Sequence, residues 1–315
     1  MNLSFRPYEG PDDCVAMLRI RQESAVVDHV DPISTCESVP TLENIKQSVD
    51  RPDVRDRFLL MTLGAEIIGY AQMTWWTEAD GTSVYVHNDW VRPDHRSDDI
   101  PRRLLARVQQ HLAGLAQRHG TATQAAFGAN ASETEPDRAD LLLADGYERV
   151  WTMVEMEFTD FNSMEVPPTP AGITIAAPRS EDYRAIWEAN VAVYAGTWGI
   201  MPADEDNFED FKDSFESPEL CDVAWDGSHV AGFVLSAVRN GVGVVGEVTT
   251  AKTYQRRGIG RALLTRNLAK FPPLGIHTVR LHTDADNGTG GRGLYEKIGF
   301  RPVRLYMRYR KAFSV

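Results

Sequence analysis

The chain has 315 residues, 43% of them hydrophobic and 25% charged, with a formal net charge of −12. That is the composition of a soluble globular protein about two domains long; its acidity argues against a nucleic-acid partner, and no apolar run reaches the length of a membrane span. Cys14, Cys36 and Cys221 are odd in number, lack a CxxC spacing and follow no cationic-then-apolar leader, so structural thiols in a reducing, cytoplasmic setting are expected.

In chain order, Asp12-Asp13 precedes an apparent helix, and the apolar residues 58–63 and Ile68-Gly69-Tyr70 flank Gly64. A helix start with proline follows at Ile100-Pro101, and Asp145-Gly146-Tyr147 precedes a further apolar stretch. Residues 166–172, Val-Pro-Pro-Thr-Pro-Ala-Gly, read as a semi-rigid linker between residues 1–165 and 173–315. Beyond it we expect a strand over 173–176, a helix over 181–194 and a second, acidic helix over 208–217. A hairpin over 221–225 and 231–238 turns at Asp226-Gly227. Strands over 246–250, 278–283 and 304–310 alternate with helices over 260–271 and 291–298. Strands interleaved with helices and hairpins predict a mixed α/β sheet.

The halves repeat one plan. Asp12-Asp13 answers to Glu181-Asp182, and Gly64 and Gly69 are spaced from Gly227 and Gly232 by the same interval. Gly146-Tyr147 answers to Gly299-Phe300 at a different interval, as loops of unequal length require.

One segment carries chemistry. Val248-Thr249-Thr250 reads as a strand end, and Gln255-Arg256-Arg257-Gly258-Ile259-Gly260-Arg261 as a loop running into a helix start. The unpaired N–H groups and positive dipole end of such a start favour a phosphate, and the glycines let backbone approach it. A P-loop and a three-glycine dinucleotide fingerprint are both excluded by the spacing. The segment resembles the acetyl-coenzyme A loop, Q/R-x-x-G-x-G/A, of the GNAT N-acetyltransferase superfamily. Downstream, Asn287 and Leu294-Tyr295-Glu296-Lys297-Ile298-Gly299-Phe300 resemble that family's second motif, and Gly246-Glu247-Val248 resembles its mycothiol synthase branch.

The resemblance implies two tandem GNAT-like domains, with acetyl-CoA held by Val248, Thr249, Thr250, residues 255–261 and Asn287. It implies Glu247 as general base and Tyr295 as the partner of the leaving sulfur. Asn287 lies eight residues before Tyr295 instead of the usual seven, across a glycine-rich stretch that delays the helix. Tyr194 and Trp198, in an aromatic, irregular segment, are expected to line the site of a small-molecule primary amine. Direct transfer in a ternary complex is expected, from a monomer or homodimer; a non-catalytic acyl-CoA-binding sensor or assembly protein is the alternative. His282 is expected in a core strand, and neither it nor His277 has a neighbour at metal-ligand spacing, so no metal is expected. In the first half Asp98 and Asp99 put negative charge at the loop, Asp99 and Pro101 replace Gly258 and Gly260, and Leu142 replaces Tyr295. That half is expected to bind no cofactor.

Overall fold

The structure is a computed structural model, and it describes residues 3–97, 99–121, 123–286 and 290–313. It divides into two compact units: residues 1–152 with 306–315, and residues 153–305. The division therefore falls inside a strand rather than in the proline-rich segment, because strand pairing, not linker composition, decides which residues cohere. Each unit takes one strand segment from the other half of the sequence.

In the first unit the elements are β1 (Leu3–Pro7), α1 (Pro11–Val27), α2 (Leu42–Val49), α3 (Val54–Arg57), β2 (Phe58–Leu63), β3 (Glu66–Thr77), β4 (Ser83–Val91), α4 (Ile100–His119), β5 (Ala125–Ser132) and α5 (Pro136–Ala144). β6 (Glu148–Phe158) leads out of this unit. In the second, β7 (Thr174–Ala176), α6 (Tyr183–Tyr194), α7 (Glu205–Lys212), β8 (Asp222–Asp226), β9 (His229–Arg239), β10 (Val242–Thr250), α8 (Ile259–Leu268), β11 (Val279–Asp284) and α9 (Gly291–Ile298) follow, and β12 (Arg301–Phe313) leads back.

Within the first unit the strands run β1-β2-β3-β4-β5-β12, antiparallel except for the parallel pair β4·β5. Within the second they run β7-β8-β9-β10-β11-β6, again with one parallel pair, β10·β11. The two orders are the same plan. Residues 306–313 of β12 close the first sheet against β5, and residues 153–158 of β6 close the second against β11.

The cores follow from the pattern. α4 buries Leu104, Leu105, Val108, Leu112 and Leu115 on one face, a helical period, and ends at Gly120 in the left-handed region. α8 buries Leu263, Leu264 and Leu268 in a cluster with Val154, Met156 and Phe158 of β6. The duplicated glycines sit where backbones come together. A Cβ at Gly232 would lie 2.6 Å from the Thr249 carbonyl oxygen, and one at Gly69 2.9 Å from that of Trp90.

Most expected elements of the second half are present, with two corrections. The acidic helix is Glu205–Lys212, not 208–217, since the Asp204 side chain accepts from the Asn207 N–H at 3.0 Å and starts the helix early. His282 lies in β11, but its side chain is exposed, because alternate strand residues face opposite sides.

Candidate active site

The site begins with a fault in β10. This strand pairs with β9 from Val242 opposite Arg239 to Thr250 opposite Gly232, with a register shift between Val245 and Glu247. Gly246 is the extra residue of a bulge, a device that bends a strand and re-aims the side chain beside it. Against β11, β10 pairs only through Gly243 with Val279 and Val244 with Arg280. β11 continues along β6 to Asp284 and β10 along β9 to Thr250, so the two part at the bulge. Alternate backbone groups of residues 245–250 point away from β9. They have no ladder partner on that side among the described residues.

The loop beyond β10 supplies the second component. Gln255 Nε2 donates to the Thr250 carbonyl at 3.2 Å, tying the loop back to the strand end. Arg256 and Gly258 both have positive φ, 63° and 81°. For arginine that conformation costs roughly 1–2 kcal/mol, and left-handed residues here turn successive N–H groups into an anion-binding concavity. Gly258 is the N-cap of α8, and no side chain caps the helix. Gln255, Arg256, Arg257 and Arg261 are exposed, whereas the Ile259 side chain belongs to the core and offers only its N–H. Space is tight at Gly260: a Cβ there would lie 3.2 Å from Thr250 Oγ1 and 3.3 Å from Leu294 Cδ2. Backbone thus approaches where a larger residue would obstruct.

Glu247, just past the bulge, is the third component. Tyr194 Oη donates to its Oε1 at 2.7 Å, and Thr249 Oγ1 lies 3.1 Å from the same oxygen. Thr249 Oγ1 is also 3.1 Å from the Asn190 side-chain amide. Burial pushes the Glu247 carboxyl above the usual carboxylate range, and the two hydroxyls act against that rise. Tyr295, buried on α9, packs against Phe300 and is close enough to Glu247 to feel its charge. Burial and that charge hold its phenol well above the ordinary value, so it stays protonated.

The expected residues are therefore unequally placed. Glu247, Tyr295, Val248 and Thr250 gather at the parting of β10 and β11. The Thr249 side chain turns instead into the Glu247 network and is 2% exposed. Tyr194 reaches the same network, while Trp198 is 52% exposed. Asn287 lies outside the described residues, as does Asp98. α9 starts late, at Gly291, after Gly290 in the left-handed region.

Residues 183–300 match the family model described as "Acetyltransferase (GNAT) family". Over that range the chain is similar to the GNAT acetyltransferases. It is 26% identical over 311 residues to a mycothiol acetyltransferase of Streptomyces scabiei, covering 94% of this chain and 90% of that one. To a mycothiol acetyltransferase of Geodermatophilus obscurus it is 26% identical over 319 residues, covering 96% and 95%. Its fold is similar to that of a GCN5-related N-acetyltransferase from Sphaerobacter thermophilus, with a TM-score of 0.79, 22% identity and coverage of 99% and 97%. A tandem GNAT protein from the clavulanic acid biosynthesis pathway matches with a TM-score of 0.71, 16% identity and 98% of each chain. No helix among the described residues is long and apolar enough to cross a membrane.

The first unit lays the same GNAT plan over different chemistry. Gly69 faces Val91 as Gly232 faces Thr250, and three residues along Gln72 faces Asn88 as Leu235 faces Glu247. Asn88 thus holds the place of Glu247. The β3·β4 register is unbroken from Gly69 to Thr77, so there is no bulge. Tyr147 N–H donates to the Leu142 carbonyl and Phe300 N–H to that of Tyr295, both at 3.0 Å, which fixes Leu142 as the counterpart of Tyr295. Asp99 and Gly258 are both N-caps, as expected, and Asp99 has ordinary negative φ.

Sequence reasoning missed the main difference. β4 and β5 pair as far as His87 opposite Ala129. Just beyond, Arg138 of α5 bridges them. Its Nε donates to the Asn130 carbonyl at 2.6 Å, Nη1 to the Asp89 carbonyl at 2.9 Å and Nη2 to the Asp89 carboxylate at 3.0 Å. His87 Nδ1 lies 2.6 Å from the same carboxylate, and His87 Nε2 is 2.9 Å from Tyr147 Oη. Burial opposes the charge on Asp89, but Arg138 and His87 pull its carboxyl far below the usual range. Arg138 stands four residues before Leu142; four before Tyr295 stands Gly291, which has no side chain to enter the gap.

Proposed function

We propose that the chain transfers the acetyl group of acetyl-CoA to a primary amine of a small molecule, by direct attack in a ternary complex, in the C-terminal half alone. The observation that carries this reading is the parting of β10 and β11 at the bulge beside Glu247, next to the uncapped, glycine-lined start of α8. Residues 255–261 would hold the pyrophosphate, and the backbone of Val248–Thr250 together with Asn287 the arm. Bound there, acetyl-CoA supplies an activated thioester.

Glu247 takes the proton that the amine nitrogen loses as it bonds the acetyl carbon. A carboxylate raised above its ordinary value suits this, since the accepted proton is held more firmly. Tyr295 stands as a hydrogen-bond donor to the sulfur as the carbon–sulfur bond breaks. Its phenol lies above about 10 and a thiol near about 8.5, so full proton transfer is uphill and the departing thiolate takes its proton from solvent. Two relatives named for acetylation in mycothiol chemistry support a cysteinyl amine as the acceptor class. The three cysteines are free, which supports action in the cytoplasm.

The test is turnover of acetyl-CoA with a panel of amines, read by mass of the acetylated product. A cysteinyl amide is expected to be acetylated on nitrogen in preference to aminoglycosides or polyamines. Binding of acetyl-CoA without turnover of any amine would instead favour a sensor.

A further inference from the structure

Tyr194 is set in the aromatic segment expected to contact the acceptor, yet its hydroxyl points elsewhere. It donates to Glu247 Oε1 across 53 residues of sequence, at 2.7 Å. Thr249 Oγ1 converges on that same oxygen at 3.1 Å. No hydrogen bond reaches Oε2 among the described residues, and no cation pairs with the carboxylate. A hydroxyl has a single proton, so Thr249 cannot donate to both Glu247 and the Asn190 carbonyl oxygen. Turning the Asn190 amide over lets its NH2 donate to Thr249 and Thr249 donate to Glu247, so that each contact has one donor and one acceptor. Two hydroxyls from α6 and β10 then hold one carboxylate oxygen and leave the other to the cleft.

We infer that Tyr194 is a positioning residue, which pins Glu247 Oε1 and so presents Oε2 to the acceptor nitrogen. This rests on the reading of Glu247 as the base. Among the described residues two titratable groups face the carboxylate: Tyr194 from α6 and Tyr295 from α9. Tyr194 is itself held far above the ordinary phenol range, by burial and by the charge of Glu247, and remains a donor wherever the carboxylate is ionised. Donation to a carboxylate favours its charged form. Without the hydroxyl, Thr249 alone opposes burial at that oxygen among the described residues, and the midpoint of Glu247 moves up.

The experiment uses the full chain with δ-13C-glutamate labelling, and Glu247→Gln assigns the resonance. In Tyr194→Phe the Glu247 titration midpoint is expected to rise by about one unit, a typical consequence of losing a hydrogen bond to a charged group. Thr249→Val is expected to raise it by less, its contact being longer. With S-methylcysteine amide as the acceptor, kcat of Tyr194→Phe should fall about tenfold at neutral pH, as a misdirected base would, while acceptor KM stays within about twofold. An unmoved midpoint overturns the inference. So does a raised KM with unchanged kcat, which would make Tyr194 an acceptor contact. The parent reading fails by a separate result: Glu247→Gln retaining wild-type turnover, whatever the Tyr194→Phe titration gives.

Discussion

The two halves share strand order, helix placement and even the glycines at which strands touch, yet their clefts are opposites. In the C-terminal half a one-residue bulge parts β10 from β11, and Gly291 leaves the gap free of any side chain at that position. In the N-terminal half β4 has no bulge, and Arg138 spans the gap by bonding backbone carbonyls on both strands. Its guanidinium takes carbonyls just beyond the last β4·β5 pairing, the stretch over which β10 and β11 stand apart in the other half. The fold tolerates either state, because the choice is made by a handful of side chains and one inserted residue. Plan and activity are separable.

The comparison breaks most readily at Glu247. Glu247→Gln should lower kcat by about 10²–10⁴-fold with acetyl-CoA affinity nearly intact, since it removes a proton acceptor and keeps the shape. It would make the C-terminal cleft resemble the N-terminal one, where Asn88 holds that place. Turnover within a few-fold of wild type would mean that the two clefts differ in binding alone.

Arg138→Met sharpens the other side. The arginine and Asp89 are a largely buried pair, and removing the arginine leaves the carboxylate with His87 but without its cation, a loss on the order of 3 kcal/mol in denaturant unfolding. Acetyl-CoA binding should be unchanged, because Arg138 belongs to the first unit. The folded Asp89 carboxyl is depressed, so its stabilising effect is present above the unfolded value of about 3.9 and is lost as pH falls below it. The wild type should lose that stability on acidification, and Arg138→Met should lose less.

A smaller effect is expected at the loop. Gly260→Asp places a Cβ against Thr250 and Leu294 and a negative charge beside the pyrophosphate, so coenzyme affinity should fall by about ten- to hundredfold. The helix should persist, as α4 persists with Pro101 in its first turn. An unchanged dissociation constant with intact circular dichroism would put the phosphates elsewhere.

The pH profile gives the finest distinction. Glu247 must be ionised to act, and its folded value is raised, so kcat should fall as pH drops through a midpoint above the ordinary carboxylate value of about 4.3. A profile flat down to that value would remove Glu247 as the titrating base.

Much of this was legible in the sequence. The loop, the hairpin around Gly227, the helix start at Gly258 and the places of Asp99 and Leu142 are all local features, written in glycines and in apolar period. What was not legible is long-range. Tyr194 and Glu247 are far apart in sequence, and no spacing rule joins them. Arg138 reads as one more charged helix residue until β4 and β5 are placed beside it. Asn88 escaped although it stands from Glu247 at the same interval as Asp99 from Gly258, and that count was a usable sign. The exchanged strands β6 and β12 were hidden by a linker whose composition says nothing about pairing. The early start of α7 was readable in Asp204, a good N-cap followed by an acidic first turn.

One titration addresses the asymmetry directly. Isothermal calorimetry of acetyl-CoA into the full chain should give a single site per chain, abolished or weakened by Gly260→Asp and indifferent to Arg138→Met. Two equivalent sites, or one that survives Gly260→Asp and disappears with changes in residues 96–103, would contradict the account.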